Sequence, residues 1–348
     1  MLEKQIIRKS IAYLDAKLAN ALGRHNRASR WLRSVYANVP NFRMRPDNDS
    51  RPLVFCLLPR SGGTMLLRLV DSHPDINTVP VTMAGFLSHT AYPDYRKDND
   101  IVSRLDLSRF NYFGLTKEAS NCAQAEVPVQ FDPRWFAKAL AQCQYTGNVR
   151  QYYNNVLSAF FFAWRNNVYR RKASLTAVHT TITGMEQFGT KLANFESCYK
   201  DAKLVFVSRD FYDWVNSMVN INSGFTIEKF DELHDLYLGA HEEIMRRREA
   251  MGDSLVLLQY ERLVQSYDSA VHDFAQSLGL RFDSALMETT LNGIPVYQNS
   301  SFATTKLSSR PDPQSIGKGK HLKEQFQDRV DDERLERIDR FMREHSAG

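Results

Sequence analysis

The residues with the clearest chemical potential form a glycine-bearing turn, PRSGGTM, which directly follows an apolar run of the chain. Gly62 and Gly63 allow the backbone to curl so that successive N–H groups point inward. The helix predicted to start near Thr64 adds its own unpaired N–H groups and its dipole. Ser61 and Thr64 can add hydroxyl hydrogen bonds, and Arg60 supplies a fixed positive charge. Together these groups predict a cradle for a phosphate or phosphosulfate group.

The turn differs from the loop of nucleotide triphosphatases. Those enzymes carry GxxxxGK followed by Ser or Thr, and this lysine and hydroxyl support the γ-phosphate and Mg²⁺. No such string occurs around residues 52–66. The loop therefore suits an anionic donor that needs no metal. The alternative is an ordinary strand-to-helix turn that contains two glycines.

A second candidate anion site lies in KLVFVSRDFYDWVNS, residues 203–217. Arg209 follows a predicted buried strand, at the edge of an open α/β sheet where ligands bind. Ser217 comes about two helical turns later, so its hydroxyl and the guanidinium can share a second phosphate. The alternative for Arg209 is a surface ion pair with Asp210 or Asp213.

Three continuous apolar runs, PLVFCLL (52–58), KLVFVS (203–208) and SLVLLQY (254–260), are typical of buried parallel strands. Segments with helical spacing separate them. Helices are predicted at 66–73, 149–171, within 209–220, and at 229–250, 262–278 and 320–345. This alternation predicts an α/β fold, with a P-loop-type, doubly wound, mainly parallel sheet flanked by helices.

The chain divides into an arm and a body. Residues 1–50 are predicted to form a basic N-terminal helical arm and linker, and residues 51–348 a single domain. Within that domain, the irregular stretch at about 90–185 is predicted to be a helical insertion on the acceptor side. The arm would pack on the body or on a second subunit of a homodimer, or lie on an anionic membrane surface.

The composition is that of a globular protein, with 348 residues of which 43% are hydrophobic and 24% charged. Residues 1–51 hold eleven Lys/Arg and four Asp/Glu, a net charge of +7, so the rest of a chain of +5 carries −2. A body this close to neutral predicts no nucleic-acid partner. The four cysteines lack CxxC spacing, which predicts no zinc site and reduced thiols. With no bilayer-length apolar run and no signal peptide, we expect a cytoplasmic protein, membrane-peripheral if the arm binds lipid.

Taken together and in this order, the motifs resemble those of the PAPS-dependent sulfotransferase superfamily, in particular its carbohydrate-type and bacterial branch (PAPS is 3′-phosphoadenosine-5′-phosphosulfate). PRSGGTMLL resembles the family's 5′-phosphosulfate loop, and LVFVSRDFYDWVNSM resembles its 3′-phosphate motif. Further similarities are HPDI (73–76), LVLLQYERLVQ (255–265), NSSF (299–302) and IGKGK (316–320). The resemblance covers about 51–345, apart from much of 90–185.

The resemblance implies transfer of a sulfuryl group from PAPS to an acceptor hydroxyl or amine, with PAP (the desulfonated nucleotide) as product and no metal. It implies that the 5′-phosphosulfate is bound by Arg60, Ser61, Gly62, Gly63 and Thr64. It implies that the 3′-phosphate is bound by Arg209 and Ser217 and covered by Gly317, Lys318 and Gly319.

Catalysis of such a transfer, by analogy with phosphoryl transfer, consists mainly of positioning and charge stabilisation. Arg60 is expected to stabilise the charge that develops on the leaving oxygen, and Lys191 that on the sulfuryl oxygens. For the general base we favour His89, which closely follows the first strand–turn–helix unit. His179 and Glu186 are the alternatives.

The sequence does not identify the general base, because it departs from the family pattern. Many carbohydrate enzymes carry a base glutamate shortly after the HPDI turn, whereas VPVTM offers Val81 and Thr82. Because of this departure, an inactive nucleotide-binding module is an alternative function. A small-molecule P-loop kinase is a second alternative.

The acceptor is expected to be a carbohydrate or glycoconjugate, mostly on the resemblance at NSSF. Aromatic side chains of the middle region could stack on sugar rings: Tyr92, Tyr95, Tyr112, Phe113, Trp135, Tyr152, Tyr153 and Trp164. The alternative is that the run at 152–164 is the apolar face of a core helix.

Overall fold

The computed structural model describes residues 51–88, 131, 133–143, 147–164, 173–219, 226–295 and 310–347. The predictions made for the N-terminal arm, for His89 and for NSSF lie outside these residues.

A five-stranded, fully parallel sheet forms the centre of the described part, in the order β2-β3-β1-β4-β5. Its strands are β1 (Arg51–Leu57), β2 (Ile76–Thr82), β3 (Leu175–Thr181), β4 (Lys203–Ser208) and β5 (Leu255–Gln259). The chain leaves β1 towards one side of the sheet and later returns to pair β4 on its other side. The carboxyl end of β1 is therefore a switch point of the sheet, where open α/β folds bind ligands.

Helices cover both faces of the sheet. They are α1 (Gly63–Asp71), α2 (Pro133–Gln142), α3 (Val149–Ala163), α4 (Met185–Cys198), α5 (Phe211–Val219), α6 (Ile227–Met251), α7 (Tyr260–Gln265), α8 (Tyr267–Ser277), α9 (Lys320–Phe326) and α10 (Asp332–His345). Outside the sheet, the two-residue strands β6 (Thr290–Leu291) and β7 (Ile294–Pro295) form a small antiparallel pair.

The core has two parts, one on each face of the sheet, because side chains of a strand alternate between its faces. Leu53, Phe55 and Leu57 of β1 pack towards α1 and α8. Val54 and Cys56 pack on the opposite face, which α3, α4, α5 and α6 cover. β1 is buried on both faces, and this explains why its sequence is a continuous apolar run.

The predicted fold class is confirmed, and the three apolar runs are β1, β4 and β5. Two helices are shorter or divided: 149–171 is helical over Val149–Ala163, and 262–278 is two helices that meet at Ser266. The sequence analysis did not predict β2 and β3. Strand β3 lies next to β1 and inside the range 90–185 that was assigned to a helical insertion.

Candidate functional site

The turn between β1 and α1 has a backbone that few sequences could adopt. Arg60 has a φ of 70° and Gly62 a φ of 97°, both in the left-handed region. Gly62 tolerates this freely, whereas Arg60 has to be held there. A Cβ at Gly62 would also lie 3.0 Å from the ring of Tyr260, so glycine is favoured by its surroundings as well.

Arg209 fixes this turn from the carboxyl end of β4. Its guanidinium donates from Nη1 to the carbonyl oxygen of Arg60 (3.0 Å) and from Nη2 to that of Ser315 (3.1 Å). It lies 4.6 Å over the ring of Tyr260, a cation–π distance. The side chain is buried. Arg209 is thus a bridge between the turn and the segment near 315, and these bonds differ from the surface ion pair considered above.

The two predicted anion sites meet at this point. Nε of Arg60 donates to the hydroxyl of Ser217 on α5 at 3.3 Å, and Arg209 contacts the backbone of the same Arg60. Trp214, one turn before Ser217, donates from its indole nitrogen to the carbonyl oxygen of Pro59 (2.6 Å). Helix α5 therefore holds the start of the turn at two adjacent residues, and the three predicted polar side chains lie together.

The segment 315–319 closes the same region. The hydroxyl of Tyr260 donates to the hydroxyl of Ser315 (3.1 Å). The backbone N–H groups of Gly317 and Gly319 donate to Asp213, and the side chain of Lys318 is exposed beside them. Tyr260 is a residue whose role the sequence reasoning missed, although it lies in the segment QYER that resembled the family.

His179, near the end of β3, packs directly under the turn. A Cβ added to Gly63 would lie 2.6 Å from Cε1 and Nε2 of His179. Any residue other than glycine at position 63 would therefore force the imidazole to move. Its Nδ1 is 3.0 Å from the hydroxyl of Thr82. Burial, followed by the charge of Lys191, lowers the pKa of His179 to about 4, so the imidazole is neutral at pH 7.

Lys191 is not a surface residue. Its ammonium is buried and donates to the carbonyl oxygen of Thr181, at the end of β3, at 2.5 Å. Burial lowers the pKa of Lys191 to about 8, partly offset by the neighbouring thiol of Cys56. Burial in turn raises the pKa of Cys56 to about 11, so the thiol stays protonated. Lys191 is therefore a buried positive charge at the carboxyl end of β3.

A chain of hydrogen bonds supports Arg209 from behind. The hydroxyl of Tyr237 donates to the carbonyl oxygen of Arg209 (2.7 Å). His241 bonds through Nδ1 to the carbonyl oxygen of Tyr237 (2.8 Å) and through Nε2 to the hydroxyl of Ser208 (2.9 Å). The carbonyl requires a proton on Nδ1, which leaves Nε2 to accept from Ser208. Burial lowers the pKa of His241 to about 4.

Some buried polar atoms of this region have no hydrogen-bond partner among the described residues. They are the hydroxyl of Ser61, Nε2 of His179 and Nε of Arg209. Buried polar atoms are normally paired, and leaving one unpaired costs about 1–3 kcal/mol. The first turn of α1, GTML, also contains no acidic side chain. The hydroxyl of Ser61 and Nε of Arg209 are hydrogen-bond donors and fit a bound anion with several acceptor oxygens, whereas Nε2 of a neutral imidazole with its proton on Nδ1 is an acceptor.

A narrow cavity adjoins the turn between α1 and β2. It is lined by Thr64, Arg68, Thr78, Thr82 and His179, among others. The pairing of β2 with β3 shifts between Thr78 and Thr82, and this irregularity brings Thr82 to His179. Shifts of this kind often re-aim side chains next to active sites.

The remaining candidates fall in different places. Glu186 is exposed in the first turn of α4. Tyr152, Tyr153 and Trp164 are buried in the core on or beside α3, as the core-helix alternative predicts. Trp135 is partly buried against the same core. The other aromatic candidates, Tyr92, Tyr95, Tyr112 and Phe113, lie outside the described residues.

The described residues contain no group of three or more His, Cys, Asp or Glu side chains that could hold a metal ion. None of the helices in the described ranges combines the length and the apolar character needed to cross a membrane.

The described part of the chain is thus a parallel α/β sheet with a glycine-bearing turn at its switch point and with Arg209 and Ser217 beside that turn. The family model for the Sulfotransferase family matches residues 52–284, about two thirds of the chain. The chain therefore belongs to the Sulfotransferase family. No curated protein matches its sequence.

Solved structures similar to the chain are sulfotransferases. The sulfotransferase domain of the Synechococcus PCC 7002 olefin synthase is 17% identical over 80% of this chain and 91% of that domain, with a TM-score of 0.49. The sulfotransferase domain from the curacin biosynthetic pathway is 13% identical over 80% of this chain and 98% of that domain, with a TM-score of 0.48. Mouse sulfotransferase SULT7A1 in complex with PAP is 13% identical over 74% of this chain and 67% of that protein, with a TM-score of 0.35.

Proposed function

We propose that the protein transfers a sulfuryl group from PAPS to an acceptor hydroxyl or amine. The observation that carries the proposal is the meeting of two anion-binding groups: the turn at 59–65 and the pair Arg209 and Ser217. A donor with both a 5′-phosphosulfate and a 3′-phosphate requires two such groups, whereas ATP has no 3′-phosphate.

The polar atoms of the turn suit the 5′ end of the donor. Arg60 supplies charge, the hydroxyls of Ser61 and Thr64 supply hydrogen bonds, and the N-terminus of α1 supplies N–H groups and dipole. Gly62 and Gly63 allow the close approach, as their contacts with Tyr260 and His179 illustrate. The unpartnered hydroxyl of Ser61 supports this assignment.

The 3′-phosphate would lie between Arg209, Ser217 and the segment 317–319. Nε of Arg209 has no partner among the described residues, and the hydroxyl of Ser217 already lies within reach of Arg60. Lys318 is the charged residue of that segment, flanked by Gly317 and Gly319.

The transfer itself is a displacement at sulfur. The acceptor oxygen or nitrogen forms a bond to sulfur while the bond between sulfur and the bridging phosphate oxygen breaks. The bond pair stays on the leaving phosphate, where Arg60 and the N–H groups of the turn stabilise the charge. The acceptor proton passes to a base, and no metal is required by this scheme.

His179 is the better supported base of the two candidates that the structure describes. It touches Gly63, its Nε2 has no described partner, and its Nδ1 is held by Thr82, at the position where carbohydrate enzymes carry a glutamate. Burial, followed by the charge of Lys191, lowers the pKa of His179 and keeps it neutral, so that it is able to accept a proton. A dianionic donor nearby would raise its pKa towards the working pH. His89 stays a prediction from the sequence.

A carbohydrate or glycoconjugate acceptor is supported by the resemblance at NSSF. The homodimer, the membrane contact of residues 1–50 and the cytoplasmic location remain predictions from the sequence.

Thermal unfolding with PAP, with ADP plus Mg²⁺ and with neither ligand tests the donor. A ligand at a hundred times its Kd adds about 2.7 kcal/mol to the free energy of unfolding. We expect stabilisation by PAP alone, and loss of this effect in Arg209→Ala. The control is Arg281→Ala, an exposed arginine outside the site.

A larger effect of ADP with Mg²⁺ than of PAP would contradict the proposal and favour a kinase. Binding of PAP without turnover, over a broad panel of sugars, phenols and amines supplied with PAPS, would favour an inactive nucleotide-binding module. Sulfation of sugars in that panel, and not of phenols, would support the carbohydrate acceptor.

A further inference from the structure

Both oxygens of the Asp213 carboxylate accept hydrogen bonds from the backbone of the segment 315–319. Its Oδ2 accepts from the N–H of Gly317 at 2.6 Å, and its Oδ1 accepts from the N–H of Gly319 at 2.7 Å. The side chain is 3% exposed. Both N–H groups face a charged acceptor out of water, where hydrogen bonds to ions are strongest. These two bonds attach the segment to the first turn of α5.

The segment can approach α5 only because two of its residues are glycines. Gly317 has a φ of 78°, in the left-handed region. A Cβ at Gly319 would lie 2.2 Å from the carbonyl carbon and 2.3 Å from the carbonyl oxygen of Tyr212, which are backbone atoms and cannot move aside. The glycines therefore shape the segment, and their N–H groups are used by Asp213.

The same segment reaches Arg209 at its other end. Nη2 of Arg209 donates to the carbonyl oxygen of Ser315, and Tyr260 donates to the hydroxyl of Ser315. Lys318 lies between the two bonded glycines, and its side chain is exposed. Pinning both neighbours of Lys318 restricts the positions its ammonium can reach, because the backbone on either side is fixed.

We propose that Asp213 is a positioning residue: by binding the N–H groups of Gly317 and Gly319, it holds Lys318 at the 3′-phosphate site before the donor arrives. The identity of the ligand rests on the proposed function, whereas the attachment of the segment does not. Because the segment is already ordered before the donor binds, the free energy of donor binding does not include the entropy cost of ordering it. Asp213 then sets donor affinity and not the rate of sulfuryl transfer.

The first experiment compares amide hydrogen exchange of the ligand-free wild type with Asp213→Asn. Asparagine keeps the shape but turns an N–H donor towards one of the two glycine N–H groups. We expect exchange at Gly317 and Gly319 to become about tenfold faster or more, with the strands of the sheet unchanged. The matched control is Asp283→Asn, which removes a carboxylate that accepts the N–H of Ala285 in another turn. Unchanged exchange at the two glycines would overturn the proposal.

The second experiment measures the Kd of PAP and the kinetics with PAPS. In Asp213→Asn, and independently in Gly319→Ala, we expect Kd and KM to rise about tenfold to a hundredfold while kcat stays within about threefold of wild type. Gly189→Ala on α4, where an added Cβ meets nothing within 4 Å, is the control for the glycine. The midpoint of thermal unfolding without ligand identifies a variant that fails to fold.

The outcomes separate the two proposals. Wild-type affinity for PAP in both variants would overturn the role of Asp213, as would a fall in kcat with KM unchanged. Failure of the wild type itself to bind PAP would overturn the proposed donor instead, and the exchange data would still decide whether Asp213 holds the segment.

Discussion

The two ends of the proposed donor site differ in how far the protein has already satisfied its own polar groups. At the turn, the hydroxyl of Ser61 and Nε2 of His179 are buried with no partner among the described residues. On the 3′ side, Arg209 binds two carbonyl oxygens and Asp213 binds two N–H groups. At the turn, these buried polar atoms remain unpaired within the described part of the chain. On the 3′ side, most of the polar atoms are hydrogen-bonded within the protein.

This difference teaches where substitutions should act. Groups that bind only when charge develops during transfer lower the barrier and change kcat. Groups that define the shape of the site before the ligand arrives change affinity and KM. We therefore expect the turn to control the rate of transfer, and the 3′ side to control binding and stability.

The largest expected effect is that of His179→Asn, which keeps a polar atom near Thr82 but removes Nε2. Loss of a general base lowers kcat by about 10²–10⁴-fold. In the wild type, kcat/KM should stay level as the pH falls and decline only towards pH 4, because the free enzyme's His179 has a pKa of about 4. Steady-state kinetics of the variant at pH 7 measure the first effect, and kcat/KM of the wild type between pH 4 and pH 9 measures the second.

The exposed histidine variant His272→Asn serves as the control for this substitution. A His179→Asn enzyme that turns over at the wild-type rate, with unchanged KM, would remove His179 from the mechanism and return attention to His89.

The next effect is that of Arg60→Gln. Removing one group that stabilises developing charge costs about 10²–10³-fold in kcat. Because the carbonyl oxygen of Arg60 and its bond with Arg209 remain, the Kd of PAP should change much less than kcat. Isothermal titration calorimetry with PAP and initial rates with PAPS provide the two numbers. An equal loss of PAP affinity and of kcat in Arg60→Gln would mean that the turn, like the 3′ side, acts through binding.

The smallest effect concerns pH and His241, behind Arg209. Its pKa of about 4 in the folded state lies below the unfolded value of 6.5, so the unfolded chain binds more protons between these values. Its contribution to stability is present above pH 6.5 and is lost as the pH falls towards 4. From pH 7 to pH 5 the loss is about 2 kcal/mol for this histidine.

Urea unfolding at pH 7 and pH 5 checks this. The loss between the two pH values should shrink by about 2 kcal/mol in His241→Gln relative to the wild type. It should stay at the wild-type value in the exposed His272→Gln. An undiminished pH dependence in His241→Gln would mean that other groups carry it and that the 3′ side is not built on a neutral histidine.

Much of the fold could be predicted because central strands buried on both faces are continuous apolar runs. Strands β1, β4 and β5 have this character, and α6 was predicted at 229–250 against an observed Ile227–Met251. Strands β2 and β3 were not predicted, because INTVPVT and LTAVHTT mix apolar residues with threonine, asparagine and histidine. Their polar side chains are buried by tertiary contacts, which the local sequence pattern does not predict.

The candidate site shows the same division. The motifs placed Arg60, Arg209 and Ser217 together, since each lies at the carboxyl edge of a predicted strand or on the helix that follows it. The contact of His179 with Gly63 joins a residue of β3 to the first residue of α1, more than a hundred residues earlier, and a single sequence does not reveal it. Asp213 was considered only as an ion-pair partner, whereas its oxygens accept from glycines about a hundred residues later.

The central position of β1 also bears on how the protein folds. Arg51 pairs with Leu175 and Leu53 with Lys203, so both neighbours of the strand that carries the turn come from distant parts of the chain. Long-range parallel pairing is slow, because loop closure costs entropy before any contact compensates for it. During synthesis, the turn at 59–65 is made before Arg209, whose guanidinium binds the carbonyl oxygen of Arg60 in the folded protein. Donor binding as proposed would therefore require a chain in which the sheet has formed around β1 and the segment 315–319 has been made.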